Sequence, residues 1–325
     1  MKVFKIRLSA PVQQLLRCPA CKSSLELVDQ ERQLRCLNAA CGVSIPIVNG
    51  IPCLINENAS VFSVDDFVQQ KDTFFKLQEE TGMKKHLRRL IPNISINLKA
   101  RQNYRKFAGL LLEKTRSPRV LVLGGSILGE GMEAILSFPS MEIVESDVSF
   151  GPRTTLILDA HDIPFKDESF DGVIVQAVLE HVVDPNRCVE EVFRVLKKEG
   201  LVYAETPFIQ QVHGRQYDFT RFTHLGHRRL FRKFKEIESG AVGGPGMALA
   251  WSYQYFLLSF TQSKLLRKIT MGFAQLTSFF LKYFDYYLIN KPGALDAASG
   301  YYFMGQKSNV VLSDKELIKL YKGAA

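Results

Sequence analysis

Past residue 118 the chain alternates short apolar runs with longer mixed segments. RVLVLGG (119–125), MEIVESDV (141–148), TLILDA (155–160), FDGVIVQ (170–176) and GLVYAETP (200–207) are rich in β-branched residues and stop at glycine, proline or acids. Continuous apolar runs of this length predict strands buried on both faces, as in a parallel sheet. Between the last two lies a well-marked helix. Asp184 suits its N-cap and Pro185 its first position, Val189, Val192, Phe193 and Leu196 make one apolar stripe, Lys197 and Lys198 suit its C-terminus, and Gly200 ends it. The alternation predicts an α/β fold with a doubly wound, Rossmann-like sheet, in which ligands bind beyond the carboxyl ends of the strands.

The flanks read differently. Residues 56–82 are polar and poorly periodic, as in a linker. Leu87, Leu90 and Ile91, then Phe107, Leu110 and Leu111, have helical spacing on either side of Pro92, which predicts two helices. Lys84, Lys85, Arg88 and Arg89 on the first are either phosphate contacts or a solvated face. The tail carries MALAWSYQYFLLSFTQS (247–263), without a charge, followed by KLLRKITMGFAQLTSFFLKYFDYYLINK. It is short and polar for a membrane span, and predicts a helical extension that covers substrate, forms a dimer face or lies in a membrane interface. The expected organisation is residues 1–56, a small N-terminal module; 57–118, linker and basic helices; 119–240, the α/β core; and 241–325, the helical and aromatic insert with a C-terminal strand region.

Charge sharpens this. The formal net charge is +9, yet residues 119–211 hold seven basic against sixteen acidic residues and 212–325 sixteen against seven. An acidic centre between basic flanks is a poor host for polyphosphate and a good one for a cation. The N-terminus lacks the apolar stretch and cleavage site of a secretory signal, which predicts a cytoplasmic chain, with membrane contact at most peripheral.

Four of the six cysteines have metal-site spacing. Cys18-x2-Cys21, fourteen residues, then Cys36-x4-Cys41 let four thiolates converge on one tetrahedral ion, and so small a module has too little core to fold without a staple. Unligated or redox-active thiols are the alternative, and Cys53 stands outside the spacing. CPAC, the later pair and IPIVNGIPCLI, within residues 12–56, resemble the zinc-ribbon activators of tRNA methyltransferases and ribbons fused to bacterial methyltransferases. The resemblance implies a structural Zn2+ and partner contact.

LVLGGSILGEGM (121–132) ends a strand in a glycine loop. Ser126 occupies the second glycine of the dinucleotide pattern, and Glu130 and Gly131 replace the lysine and hydroxyl of a phosphate loop. The ligand expected at Gly124, Gly125, Ser126 and Gly129 lacks phosphate and carries positive charge, as S-adenosyl-L-methionine does. Asp147, or Glu145 if the strand ends earlier, can accept from both ribose hydroxyls, and Asp159 with Ala160 and His161 can hold the adenine amine; each acid can instead cap a turn. DVS, DAHDIPF, SFD, LEH and RVLKKEG follow in the order found in class I, type 11 S-adenosylmethionine-dependent methyltransferases, which residues 119–208 resemble. The resemblance implies that Asp147 binds ribose, Asp159 to His161 adenine and Gln176 the methionine end. Two features depart from that pattern: Val122 replaces the usual first-strand acid, and eleven residues between Asp147 and Asp159 leave no room for the usual helix.

Methyl transfer needs an aligned nucleophile and, for a hydroxyl, a route for its proton. His181 and His213 lie beyond the fourth and fifth strands, and Asp218 and Arg221 stand among aromatics in VHGRQYDFTRFTHLGHRRLF. These four are the candidate catalytic residues; structural histidines and an ion pair fixing a lid are the alternatives. The chain is expected to methylate a hydroxyl, or another nucleophile, of a small or carrier-linked acceptor. A saccharide is suggested by resemblance to methyltransferases with a similar histidine, aspartate and arginine element. A silent binding module of the same fold and an RNA methyltransferase are the competing expectations.

Overall fold

The computed structural model describes residues 6–28, 33–73 and 91–324. Four short strands come first: β1 (Leu25–Val28), β2 (Gln33–Cys36), β3 (Ser44–Val48) and β4 (Ile51–Leu54). The five expected strands follow as β5 (Arg119–Leu123), β6 (Glu142–Asp147), β7 (Leu156–Leu158), β8 (Phe170–Gln176) and β9 (Leu196–Pro207). Two more, β10 (Phe234–Gly243) and β11 (Gly300–Lys307), complete one sheet of order β1-β2-β3-β4-β7-β6-β5-β8-β9-β11-β10. From β7 to β9 all neighbours are parallel, whereas β11 runs antiparallel to both β9 and β10. The chain moves outward from β5 in one direction and returns to β8 on its other side, so the ligand crevice opens at their carboxyl ends.

Period-two alternation divides the central strands between two cores. Val120, Val122, Ile174, Leu201 and Tyr203 pack on Tyr104, Phe107 and Leu111 of the helix Ala100–Lys114. Leu121, Leu123, Val173, Val175, Val202 and Ala204 pack on Cys188, Val189, Val192 and Val195 of the helix Pro185–Val195. A register slip of one residue would exchange the two sets, so burial on both faces fixes the strand exits in place.

The helix Pro185–Val195 starts as expected: the Asp184 carboxylate accepts from the N–H groups of Asn186 and Arg187, with Pro185 next. It ends earlier than its apolar stripe predicts. Leu196 turns extended and pairs with Phe170, placing Lys197 in β9, where it meets Asp171 at 2.8 Å. Of the two basic helices, that bearing Lys84, Lys85, Arg88 and Arg89 lies outside the described residues. The other, Ala100–Lys114, belongs to the core.

Two expected boundaries fall inside continuous structure. Residue 240 lies within β10, and the sheet is completed only by β11, between β9 and β10. The N-terminal module joins the same sheet through β4, parallel to β7, and its Leu8, Val12, Leu16, Leu34 and Ile45 share one core with Leu156, Leu158 and Phe165. The helical extension holds Pro245–Leu258 and Lys264–Ser278. The buried Asp285 carboxylate fixes the first of these by accepting from the N–H groups of Gly244, Gly246 and Met247, where an anion complements the helix dipole. Among the described residues no helix is long and apolar enough to cross a membrane.

Candidate functional site

The exits of β5 to β9 open into a cavity of about 390 Å³. Of the residues expected at a cofactor, Gly124, Gly129, Asp147, Asp159, Ala160, His161 and Gln176 line it, whereas Gly125 and Ser126 stand behind its wall. Gly124 has φ +75°, and a Cβ there would lie 2.5 Å from Val178 Cγ2. A Cβ on Gly129 would lie 2.0 Å from Gln176 Oε1, so the glutamine side chain crosses the loop only because glycine leaves the space. The described lining includes Glu130, Asp147, Asp159, Glu180 and Glu205 and no lysine or arginine.

Asp147 and Glu145 have different partners. Asp147 lines the cavity and accepts from the Ser126 N–H at 3.0 Å, while Glu145 pairs with Arg153 at 2.6 Å. Burial pushes the Asp147 carboxyl above its ordinary range against the N–H groups of Ser126, Val148 and Ser149. Asp159 is more committed. Its Oδ1 accepts from the His161 backbone at 2.9 Å and ring Nδ1 at 2.6 Å, and its Oδ2 from the Ser60 hydroxyl at 2.5 Å. Burial opposes the charge, but His161 and Ser60 together hold this carboxyl below its usual range. His161 Nε2 accepts from the Asp184 N–H at 3.0 Å, so this histidine also ties the turn to the helix behind it.

A buried carboxylate that sequence reasoning passed over closes the far wall. Glu205, at the end of β9, accepts from Gln176 Nε2 at 2.9 Å, from Asn97 Nδ2 at 2.8 Å and from the Tyr203 hydroxyl. Its pKa is pushed up to about 7 by burial, which outweighs those three donors. It stands in YAETP, where the available signal was an acid interrupting an apolar run at a strand exit.

At the other end Glu180, His181 and His213 meet, all three lining the cavity. Glu180 Oε1 lies 3.6 Å from His181 Nε2 and 3.9 Å from His213 Nε2, and the two rings stand edge to face at 5.0 Å. Burial pushes Glu180 up to about 8 and His181 down to about 4. Asp218 and Arg221 do not line the cavity. Arg221 directs all five N–H groups to Asp218 and to the carbonyls of Gln210, Gln211 and Thr220. Asp218 also accepts from the N–H groups of His213 and Gly214; burial would raise its pKa, but these donors and Arg221 hold the carboxylate well below its ordinary range. The pair has no donor left for a substrate and instead fixes the loop that presents His213.

Cys18, Cys21, Cys36 and Cys41 form a second cluster, their Sγ atoms all within 4.8 Å of one another. Sγ of Cys18 and Cys41 are 3.8 Å apart and those of Cys21 and Cys36 3.4 Å. Lys22 and Gly42, each directly after the second cysteine of a pair, have φ of +60° and +64°, so both chain segments turn back sharply at the cluster. Four soft donors near the edges of a tetrahedron, about 3.8 Å for sulfurs 2.3 Å from a metal, fit zinc. Cys53 is buried elsewhere, as its spacing predicts.

A methyltransferase-domain family matches residues 136–204. An uncharacterised protein of Methanocaldococcus jannaschii is 43% identical over 47 residues, 14% of this chain and 23% of that one. Demethylmenaquinone methyltransferase of Clavibacter sepedonicus is 46% identical over 44 residues, 14% of this chain and 18% of that enzyme. The matches thus span about a fifth of these relatives' lengths. Among solved structures, Haemonchus contortus phosphoethanolamine N-methyltransferase 2 in complex with S-adenosyl-L-methionine is 17% identical, covering 63% of this chain and 53% of that one at a TM-score of 0.39. The Burkholderia thailandensis 1,6-didemethyltoxoflavin-N1-methyltransferase is 10% identical, covering 88% and 99% at 0.38. Residues 136–204 thus match a methyltransferase-domain family and lie in a doubly wound α/β sheet whose strand exits surround an acidic cavity.

Proposed function

We propose that this protein is an S-adenosylmethionine-dependent methyltransferase acting on a hydroxyl of a small or carrier-linked, saccharide-like acceptor. The observation that carries this reading is a cavity at the strand exits whose described lining holds five carboxyl groups and no lysine or arginine. Such a wall disfavours pyrophosphate and favours a ligand bearing a sulfonium and an ammonium. Its volume, about 390 Å³, suits a small molecule.

Asp147 would hold the ribose hydroxyls through carboxylate lone pairs that its Ser126 contact leaves available. Ala160 and the backbone beside Asp159 would face adenine, since both Asp159 oxygens already serve the turn. Gln176 and Glu205 would hold the methionine end, Glu205 supplying from β9 the negative charge that Val122 does not supply from β5. When bound, the cofactor supplies a methyl carbon that bonds to the acceptor oxygen as its bond to sulfur breaks, sulfur keeping the electron pair and the hydroxyl proton passing to water. Glu180, His181 and His213 would face that hydroxyl, and Asp218 with Arg221 would position His213. Cys18, Cys21, Cys36 and Cys41 would hold a structural zinc ion with no open position.

The extension suggests where the acceptor resides. Phe256, Phe260, Leu265, Ile269 and Phe273 are each more than half exposed, beside Lys264, Arg267 and Lys268. An apolar face rimmed by cations fits the interface of an anionic membrane and a carrier-linked substrate there. Calorimetry of the zinc-loaded protein with S-adenosylmethionine tests the central reading. Binding should be saturable and at least tenfold weaker in Asp147→Ala, and the absence of any heat would leave a silent module of the same fold.

A further inference from the structure

The surroundings of Glu180, His181 and His213 dictate which atoms face one another. Nδ1 of His181 lies 2.8 Å from the Tyr217 carbonyl oxygen, and Nδ1 of His213 lies 3.1 Å from that of Gln211. A carbonyl can only accept, so each Nδ1 carries the hydrogen and each neutral ring directs an Nε2 lone pair the other way. Glu180 Oε1 stands near both Nε2 atoms, at 3.6 and 3.9 Å. Three potential ligand atoms therefore converge, one from each residue lying within 4.8 Å of the others. The second carboxylate oxygen, Oε2, is buried without a hydrogen-bond partner among the described residues, on a side chain 1% exposed that lines the cavity.

We infer that Glu180 Oε1 and the Nε2 atoms of His181 and His213 bind a divalent first-row transition cation, whose remaining positions face the cavity and accept neighbouring hydroxyls of the acceptor. Two imidazoles and one carboxylate with open positions are a donor set suited to such ions. Bonds of 2.0–2.2 Å would bring the three ligand atoms to about 3–3.5 Å from one another, closer than the present 3.6 and 3.9 Å, a contraction that side-chain rotation supplies. The outer partners are in place as well. Carbonyls of Tyr217 and Gln211 orient the rings, as the partners of metal-bound histidines generally do. Gly214 lets the His213 loop lie on the His181 ring, since a Cβ there would come within 2.5 Å of Nδ1. The spent donors of Arg221 acquire a purpose here: they hold, through Asp218, the loop that carries a ligand. A cation would also orient a diol and acidify its hydroxyl. That last role rests on the methyl-transfer reading, while cation binding does not.

The test uses full-length protein with its four-cysteine site saturated by zinc. It is titrated with Mn2+, the free ion being followed by electron paramagnetic resonance, and with Ni2+ by calorimetry. One cation per chain should bind beyond the zinc, at least tenfold more weakly in Glu180→Gln and in His213→Gln, each checked as folded by its thermal melt. His213→Gln alters only a part-exposed loop and keeps the test open should the buried Glu180→Gln variant misfold. Failure of both ions to bind the unmodified protein, or equal affinity in it and the folded variants, overturns the site. S-adenosylmethionine calorimetry on the same samples separates the two readings: cofactor binding without cation binding sinks the cation site alone, and the reverse sinks methyl transfer alone.

Discussion

Glu205 makes the fold's stability depend on pH in a direction opposite to that of a salt-bridged acid. Its carboxyl has an ordinary value of 4.5 and is pushed up to about 7 by burial at the end of β9. Below pH 4.5 folded and unfolded chains both keep the proton, and the group makes no difference. Between 4.5 and 7 the unfolded chain releases it while the folded chain holds it, so stability falls by about 1.4 kcal/mol per pH unit, roughly 3 kcal/mol in all. Above 7 both are ionised and the loss is constant. Glu205→Gln reproduces the protonated acid: its amide oxygen accepts from Gln176 and Asn97, and its NH2 donates to the Tyr203 oxygen. Urea unfolding of both proteins at pH 5 and pH 8 is the assay. The variant should be within about 1 kcal/mol of the parent at pH 5 and about 3 kcal/mol more stable at pH 8. Parallel profiles would mean that Glu205 is ionised throughout, as its three hydrogen-bond donors taken alone would dictate, and that burial has been given too much weight.

Gly129→Ala places a Cβ 2.0 Å from Gln176 Oε1, so Gln176 must rotate away from Glu205 and the Glu130 carbonyl. Losing one or two such bonds costs about 1–3 kcal/mol, so S-adenosylmethionine binding should weaken roughly 5- to 100-fold, by calorimetry, in a protein that still folds. Removing zinc by chelation, or Cys36→Ser, should lower the melting temperature of the whole chain in one transition rather than melt a separate module, because the ribbon side chains share a core with β7. A second, independent transition in the calorimetric trace would contradict that. Ile269→Asp with Phe273→Asp should abolish sedimentation with vesicles containing anionic lipid and leave cofactor binding unchanged; unaltered sedimentation would assign the exposed face elsewhere.

The sequence announces the central sheet through local rules and conceals what depends on distant partners. The five strands from β5 to β9 are legible because burial on both faces forces continuous apolar runs, and the helix after Asp184 because capping chemistry is local. The end of that helix is not legible: Leu196 fits the apolar stripe, but pairing with Phe170 takes it into β9. The four cysteines come together at their expected spacing because a metal knuckle is encoded over a few residues. Asp218 and Arg221 show the limit. A carboxylate and a guanidinium among aromatics have the composition of a substrate clamp, yet five backbone and side-chain acceptors brought by the fold consume every arginine donor. Glu180 and Glu205 show the converse. Each is one acid at a strand exit, and only burial beside particular neighbours makes it chemically distinct.

The ribbon also bears on the site in a way that its own motif does not suggest. A zinc module tethered by a flexible linker could be lost without consequence for the cavity, but here the connection itself is a wall: Val61 and Phe62 line the cavity, and Phe62 stacks on Tyr217 with ring centres 5.6 Å apart. Ser60 donates to Asp159 Oδ2, and Asn56 donates to Asp162 Oδ2 at 2.9 Å and to the Pro19 carbonyl at 3.2 Å, bridging the first cysteine pair to the turn after β7. Lys22, directly after Cys21, pairs with the same Asp162. The turn from Asp159 to Asp162 is therefore held from one side by the strand that leads into it and from the other by the ribbon. In the usual arrangement a helix after the second core strand would buttress this edge, yet β6 and β7 are joined here by a short non-helical connection. The ribbon and its linker buttress this edge of the cavity where that helix is lacking.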